Sequence, residues 1–315
     1  MKSPMIVIAG PTAVGKTSVS IQLASQINGS VISGDSMQVY KKMNIGTAKI
    51  TKEEMKNIKH YMIDELEPDD EFNVAKFQSM AKKSHEQIIE ERKLPIIVGG
   101  TGFYIQSITN NIDFTETVVN TNYRQELEII AKTKGNEFLH HMLCKVDEKS
   151  AELIHENNVK RVIRALEYYK DTNEKISDHN EREKTKSSPY NLAYFVLNMN
   201  RELLYARVDK RVDIMIEQGL IKEVENLLNM GYSKNLVSMQ GLGYKEVVKY
   251  LEGDLSLEES IDILKRDTRH FAKRQLTWFK REKDAIWINV DEFNMDVEMI
   301  KNKMIKHLEE KSIII

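Results

Sequence analysis

The chain has 315 residues, 41% hydrophobic and 30% charged, enough to bury one large core or two smaller ones without disulfides or structural metals. Lys and Arg number 46 against 48 Asp and Glu, so a net charge of −2 offers no whole-surface attraction for nucleic acid or membrane lipid. A single cysteine, Cys144, excludes a disulfide framework and a Cys-rich zinc site, and no apolar run approaches the roughly 20 residues of a membrane span. A cytoplasmic protein that contacts no membrane is expected.

In chain order, the apolar run 5–9 predicts a buried strand, a glycine loop follows, and a helix is predicted over 16–27. A second strand at 31–32 ends in Ser33-Gly34-Asp35, a short one lies at 61–63, and a helix spans 73–92 before a strand at 96–98 that ends in Gly99-Gly100-Thr101-Gly102. Alternating strands and helices predict a parallel sheet covered on both faces, with ligands at the carboxyl ends of the strands. Three of those ends carry glycines or small polar residues, so they are expected to face one site. From about residue 115 to 180 charged helical segments follow one another, among them 123–134 and 159–170, which predicts a helical insertion. The polar stretch 178–188 reads as a linker or mobile loop. A strand at 193–197 then resumes the sheet. Helices over 201–219, 245–251 and 257–283, a strand at 286–288 and a helix over 297–310 complete the chain, and the apolar tail 313–315 is too short for a membrane. The fold class is thus α/β, a P-loop NTPase-like parallel sheet (residues 1–113 and 192–315) with a helical insertion domain (114–191).

Gly10-Pro11-Thr12-Ala13-Val14-Gly15-Lys16-Thr17 matches G-x-x-x-x-G-K-[ST] between a strand and a helix. The bare pattern arises by chance in roughly one chain in a hundred of this length, but the flanking elements are those the mechanism requires. Backbone N–H groups cradle a phosphate, the helix N-terminus adds its dipole, Lys16 supplies a point charge and Thr17 can hold Mg²⁺. The strand at 96–98 lacks the terminal carboxylate that a water-activating ATPase uses, and Asp35 is the only carboxylate at a comparable strand end. That favours group transfer over ATP hydrolysis.

Ser33-Gly-Asp-Ser-Met-Gln-Val-Tyr40, Ile45-Gly-Thr-Ala-Lys49 and Gly99-Gly-Thr-Gly-Phe-Tyr104 closely resemble one family, the bacterial tRNA dimethylallyltransferases. Further matches are His60-Tyr-Met-Ile-Asp64, Arg161-Val-Ile-Arg-Ala-Leu-Glu167, Gly241-Leu-Gly-Tyr244 and the run from Thr268 to Trp278, so the resemblance covers nearly the whole chain. It implies transfer of a dimethylallyl group from its diphosphate to the exocyclic amine of the adenosine 3′-adjacent to the anticodon. It further implies Asp35 as general base, Thr101 as a contact to the reacting nucleotide, and residues 10–17 as the diphosphate site. The tRNA contacts it implies are Asp35, Ser36, Met37, Gln38, Thr101, Arg124, Val159, Lys160, Arg161, Val162, Gly241, Gly243 and Tyr244. In the family the insertion embraces the anticodon stem-loop, and the target base is extruded towards the prenyl donor. The zinc finger of the eukaryotic relatives is not expected, and a monomer is. This chain departs from the family where His155-Glu156-Asn157-Asn158 stands for His-Pro-Asn-Asp, which removes a carboxylate at a helix start, and where Val14 replaces a small residue of the phosphate loop.

Local charge answers the near-neutral total. Residues 265–283 hold eight Lys or Arg (Lys265, Arg266, Arg269, Lys273, Arg274, Lys280, Arg281, Lys283) against two acids, Asp267 and Glu282. Positions 266, 269, 273 and 280 recur at helical spacing and predict a basic ridge for RNA phosphates, with Gln275 and Trp278 available for base contacts. On residues alone, a solvated basic face is the competing reading. Three rival functions stand beside tRNA prenylation. One is prenylation of a free adenine nucleotide, which would not need the insertion. Another is a small-molecule P-loop kinase, expected to carry arginines over the phosphates. The third is a nucleotide-gated RNA binder without catalysis. His60 and His270 are read as local hydrogen-bonding groups and not as metal ligands.

Overall fold

The computed structural model describes residues 2–114 and 121–314. Strand β1 (Ser3–Ala9) runs into α1 (Lys16–Gln26), β2 (Gly29–Ser33), the two-residue β3 (His60–Tyr61), α2 (Val74–Glu90), β4 (Leu94–Gly99) and α3 (Gly102–Thr109). The strands pair in parallel in the order β3-β2-β4-β1, and β5 (Tyr190–Asn198) and β6 (Ile286–Asn289) extend the sheet beyond β1. Strand residues alternate between two cores, as the pleat requires. Ile6, Ile8, Ile96, Phe195 and Leu197 pack with α1 and with α13 (Val297–Glu310), whereas Met5, Val7, Ile97, Tyr194 and Val196 pack with α2 and α3. β3 stops at Tyr61, short of the predicted 63, because Met62 takes φ 64°, which strand geometry does not allow.

A third apolar cluster lies beyond the strand ends. There Val39, Tyr40 and Met43, from the loop after β2, meet α9 (Arg201–Glu217), α10 (Leu220–Asn229), α11 (Tyr244–Leu251) and α12 (Leu257–Phe279). Helix α10 was not among the predicted elements, although Leu220, Val224 and Leu227 form an i, i+4, i+7 stripe; Gly219 at φ 98° separates it from α9. Helix α12 ends at Phe279, four residues before the predicted 283, so Lys280, Arg281 and Lys283 lie past its last turn. Of the apolar tail, Ile313 is buried and Ile315 lies outside the described residues.

The chain divides into two compact units, Met1–Asn111 with Ser188–Ile315, and Ile112–Ser187. The second holds α4 (Thr121–Lys134), α5 (Asn136–Val146), α6 (Glu148–Leu153), α7 (Val159–Thr172) and α8 (Ile176–Thr185) around Leu127, Leu139, Leu143, Val162, Ile163 and Leu166. The onset of the insertion, expected near residue 115, lies outside the described residues. Helix α8 corrects the expected linker at 178–188. Asp178 in its first turn and Arg182 and Lys184 in its last suit the helix dipole, although Glu181 and Glu183 oppose it, and the helix start is tied down by buried Asp147, which accepts from Ser177 N at 3.0 Å. Among the described residues no helix is long and apolar enough to cross a membrane.

Candidate functional site

The phosphate loop opens on Gly10, where a Cβ would stand 2.6 Å from the Leu197 carbonyl oxygen, so the loop can pass β5 only as glycine. Ala13 (φ 65°) and Gly15 (φ 103°) turn the backbone N–H groups inward, and Val14 anchors the loop by burying its side chain in the core beside α1. Lys16 Nζ folds across the loop and donates to the Gly10 and Pro11 carbonyls at 2.9 and 2.7 Å. Burial pulls the Lys16 ammonium down to about 7, the nearby Arg211 adds to that effect, and Asp35 opposes it. Thr17 is exposed in the first turn of α1, and its hydroxyl has no hydrogen-bond partner among the described residues.

Two arginines at this loop escaped the sequence reading. Arg207 Nε donates to the Ala13 carbonyl at 2.8 Å, and Arg211 Nη1 donates to the Thr12 hydroxyl at 3.1 Å. Both project from α9 at i, i+4. Burial lowers the Arg211 pKa, Asp35 counters it, and Arg207 adds repulsion. The signal was present as Arg207-Val-Asp-Lys-Arg211 in the helix that follows β5. Arginines at the phosphates, the feature expected of a small-molecule kinase, are thus present here and do not separate a transferase from a kinase.

Asp35 and Thr101 meet because β2 and β4 are neighbours whose ends are closed by glycine. A Cβ on Gly99 would lie 2.2 Å from the Gly34 oxygen, so only glycine allows the two turns to touch. Gly34 N donates to Val98 O at 2.8 Å, and Thr101 N to Gly34 O at 3.3 Å. One Asp35 oxygen, Oδ1, accepts from Met37 N at 2.8 Å, which closes a tight turn and leaves Oδ2 without a partner among the described residues. Thr101 caps α3 with its backbone and makes no side-chain capping bond. Half-buried Gln38 accepts from the Ser33 hydroxyl at 3.0 Å and donates to Thr47 O and Ala48 O at 3.3 Å each, so it braces the loop that carries Asp35 and Ser36. Met37 lies against Gly241, where a Cβ would stand 2.7 Å from its Cε.

Other expected RNA contacts turn inward. Tyr244 is fully buried and donates to Glu223 Oε1 at 2.8 Å, while Glu223 also accepts from the backbone N–H groups of Asn44, Ile45 and Gly46. Burial, together with the Glu223 charge, raises the Tyr244 pKa. Gly243 (φ 93°) starts α11 and frees that tyrosine to pack on Gly46. Tyr244 is thus a brace for the loop after β2 instead of a surface contact. Gln275 is likewise buried, accepting from Thr12 N and donating to Gly100 O. In the helical unit Val162 belongs to the core, Val159 packs beside it, and Arg124 forms a two-pronged pair with buried Glu167 at 2.9 and 2.7 Å. Lys160 and Arg161 are exposed in the first turn of α7, whose N-cap Asn158 makes no side-chain capping bond.

The basic ridge is rearranged as well. Lys265 pairs with Asp213 at 2.6 Å, Arg269 with Asp209 at 2.5 Å and Arg266 with Asp267 at 3.0 Å, so three of the eight cations are neutralised within the chain. His270, Lys273, Arg274, Thr277, Trp278 and Arg281 line an open groove of about 430 Å³ instead. Its floor is the half-buried Trp278 ring, which packs over Gly102 and edge-on to Phe103 at 5.9 Å, with the Arg281 guanidinium 5.2 Å from its centre. His60 is a local hydrogen-bonding group, its Nδ1 lying 2.9 Å from Ile58 O.

A parallel sheet with a phosphate loop, two arginines bonded to it and a carboxylate at the end of the next strand but one defines a P-loop enzyme built for anionic substrates. Residues 38–282 match the family model described as IPP transferase, and the chain belongs to that family. It is 58% identical over 311 residues, 99% of each chain, to a tRNA dimethylallyltransferase of Lachnoclostridium phytofermentans. Its fold matches the full-length tRNA isopentenylpyrophosphate transferase of Bacillus halodurans, with a TM-score of 0.74 and 45% identity over 99% of this chain and 98% of that one. A eukaryotic dimethylallyltransferase caught acting on tRNA superposes with a TM-score of 0.80 at 31% identity, over 91% of this chain and 74% of that one.

Proposed function

We propose that the chain transfers a dimethylallyl group from dimethylallyl diphosphate to the exocyclic amine of the adenosine 3′-adjacent to the anticodon of tRNA. The observation that carries this reading is the pairing of an anion cradle with two unpartnered oxygen groups, Asp35 Oδ2 and the Thr101 hydroxyl, on adjoining strand ends. The allylic C–O bond breaks, diphosphate leaves, the amine nitrogen bonds to carbon, and its proton passes to Asp35. Lys16, Arg211 and the loop N–H groups neutralise the departing charge. Thr101 hydrogen-bonds the nucleotide and orients it.

Among the described residues no group of three or more His, Cys, Asp or Glu could hold a metal ion. A Mg²⁺ bound through one protein oxygen and the substrate's phosphates fits the exposed, unpartnered Thr17 hydroxyl, and it would supply further charge neutralisation at the leaving group. For RNA the reading assigns Lys273, Arg274 and the Trp278 groove in the α/β unit, and Lys160 and Arg161 in the helical unit. It places the work in the cytoplasm and requires only one chain.

The test incubates the protein with Mg²⁺, dimethylallyl diphosphate and unmodified tRNA and looks for a dimethylallyl mass gain on one anticodon-loop adenosine. Arg207 and Arg211 at the loop give the kinase reading an observation of its own, so one parallel reaction supplies ATP in place of the prenyl donor. Another supplies AMP in place of tRNA. Phosphoryl transfer in the first, or prenyl transfer only in the second, sinks the proposal.

A further inference from the structure

Gln275 sits between Arg274 and Leu276 on a helix whose exposed cations line the Trp278 groove, yet its own side chain points the other way and is buried. Its Oε1 accepts from Thr12 N at 2.9 Å, and its Nε2 donates to Gly100 O at 3.0 Å. Thr12 belongs to the phosphate loop after β1. Gly100 immediately precedes Thr101 at the end of β4. One carboxamide therefore spans the two strand ends that hold the leaving group and the acceptor. A Cβ on Gly100 would stand 2.1 Å from Gln275 Nε2, so a glycine is needed there to admit the amide.

The chemistry of residue 12 matches this role. Its N–H is taken by Gln275 and its hydroxyl accepts from Arg211, so Thr12 is held from α12 on one side and α9 on the other. Pro11 has no N–H. The donors left for an anion are those from Ala13 onward, and the loop presents them from a backbone already clamped. An amide that both accepts and donates suits this place, because a buried carbonyl and a buried N–H would each be left unsatisfied by an apolar side chain.

We propose that Gln275 is a positioning residue of the transfer reaction: its carboxamide sets the spacing between the phosphate loop and Thr101, and it touches neither RNA nor prenyl donor. The proposal rests on the transferase reading above. In a displacement between two separately bound substrates, a misplacement of about 1 Å lowers the rate by about a hundredfold while leaving each substrate bound. The signature is a fall in kcat with little change in KM.

The experiment compares Gln275→Met, Gln275→Glu and Gly100→Ala with the unaltered chain. Kinetics are normalised to the number of sites that bind inorganic pyrophosphate, and tRNA affinity is measured separately. Gln275→Met keeps the volume and loses both bonds; Gly100→Ala evicts the carboxamide and leaves α12 intact. Both are expected to lower kcat per binding site by about thirtyfold, with pyrophosphate and tRNA Kd changed less than about threefold. Combined, they are expected to cost no more than either alone, since they break the same link. In Gln275→Glu the introduced carboxyl can replace both bonds only when protonated. Its rate relative to the unaltered chain at the same pH is therefore expected to recover as pH falls from about 8 to about 5.5.

A kcat that returns to the unaltered value after normalisation would reduce Gln275 to a folding role and overturn the proposal. A tRNA Kd that rises while pyrophosphate binding and kcat hold would make it an RNA contact, which overturns the proposal equally. If the unaltered chain itself binds no pyrophosphate, it is the transferase reading that fails.

Discussion

At the phosphate loop three cations, Lys16, Arg207 and Arg211, hydrogen-bond the loop itself, and burial draws Lys16 and Arg211 partly out of water; along α12 and the turn after it eight cations are strung out, and three are paired with acids of the same chain. The loop achieves strength by convergence and desolvation, which its spacing announces. The helix achieves reach, and its usable charge depends on which side chains find partners from α9. Counting Lys and Arg along the sequence therefore understates the loop, whose two arginines arrive from α9, and overstates the helix.

The sharpest way to break this comparison is at the converging site. Asp35→Ala removes the carboxylate at the end of β2, and kcat is expected to fall about a thousandfold, within the range for a lost general base. Asp35→Ala with full prenyl transfer would withdraw the proton-accepting role. Arg211→Met should act on the donor instead, raising the KM for dimethylallyl diphosphate by about thirtyfold through loss of a charge-assisted contact. If KM holds and thermal stability alone drops, Arg211 is a clamp on Thr12 and nothing more.

The same contrast explains what could be read in advance. The parallel sheet, the phosphate loop and the Asp35–Thr101 pairing were legible because short apolar runs end in glycines, and glycine at a strand end reports a close backbone approach. Arg207 and Arg211 were not, since their partners Ala13 and Thr12 lie nearly two hundred residues earlier in the chain, and only the sheet order makes them neighbours. Tyr244 and Gln275, expected at the RNA, are buried with internal partners that the sequence hides for a related reason. A polar residue in a motif resembles a ligand contact, and no spacing rule separates an amide that faces solvent from one that bridges two buried backbone groups. The 178–188 stretch failed differently: its charges suggested a loop, but residues up to Thr185 are helical, and the helix start is anchored where Ser177 N donates to buried Asp147, a residue thirty positions earlier.

On the helix, the comparison is sharpened by setting two double variants against each other. Lys273→Ala with Arg274→Ala is expected to weaken tRNA binding about tenfold near 0.1 M salt and to reduce the slope of log K against log salt by about 1.4, two phosphates at about 0.7 each. Lys265→Ala with Arg269→Ala removes as much formal charge but should leave that slope within about 0.3, because Asp213 and Asp209 already neutralise those cations. Equal slopes for the two would mean that the paired residues are released on binding RNA.

A milder effect follows from Lys16. In the unliganded protein its ammonium titrates near 7, below its ordinary 10.5, so it is charged below neutrality and loses its proton as pH rises through about 7. Binding an anion restores the charged form. Pyrophosphate binding should therefore take up a proton above neutrality and weaken by up to about tenfold per pH unit there. Calorimetry in buffers of different ionisation enthalpy reads the uptake directly. Lys16→Arg, which cannot titrate in this range, should abolish that uptake while the titration of the ligand itself remains.

The smallest expected change in function comes from Tyr244→Phe, although it sits inside a motif expected to touch RNA. The hydroxyl it removes donates to a carboxylate that three backbone N–H groups and this tyrosine satisfy together. Loss of one charge-assisted hydrogen bond is worth about 2 kcal/mol, so the melting temperature should drop by several degrees. Glu223 would still hold the Asn44 to Gly46 turn, and the ring would still pack on Gly46. The affinity for tRNA and the salt slope should stay within about twofold of the unaltered chain, because the residue meets the protein's own loop and not the ligand. A large loss of tRNA affinity with normal stability would mean that Tyr244 leaves its buried site when RNA arrives, and the brace would then be a moving part.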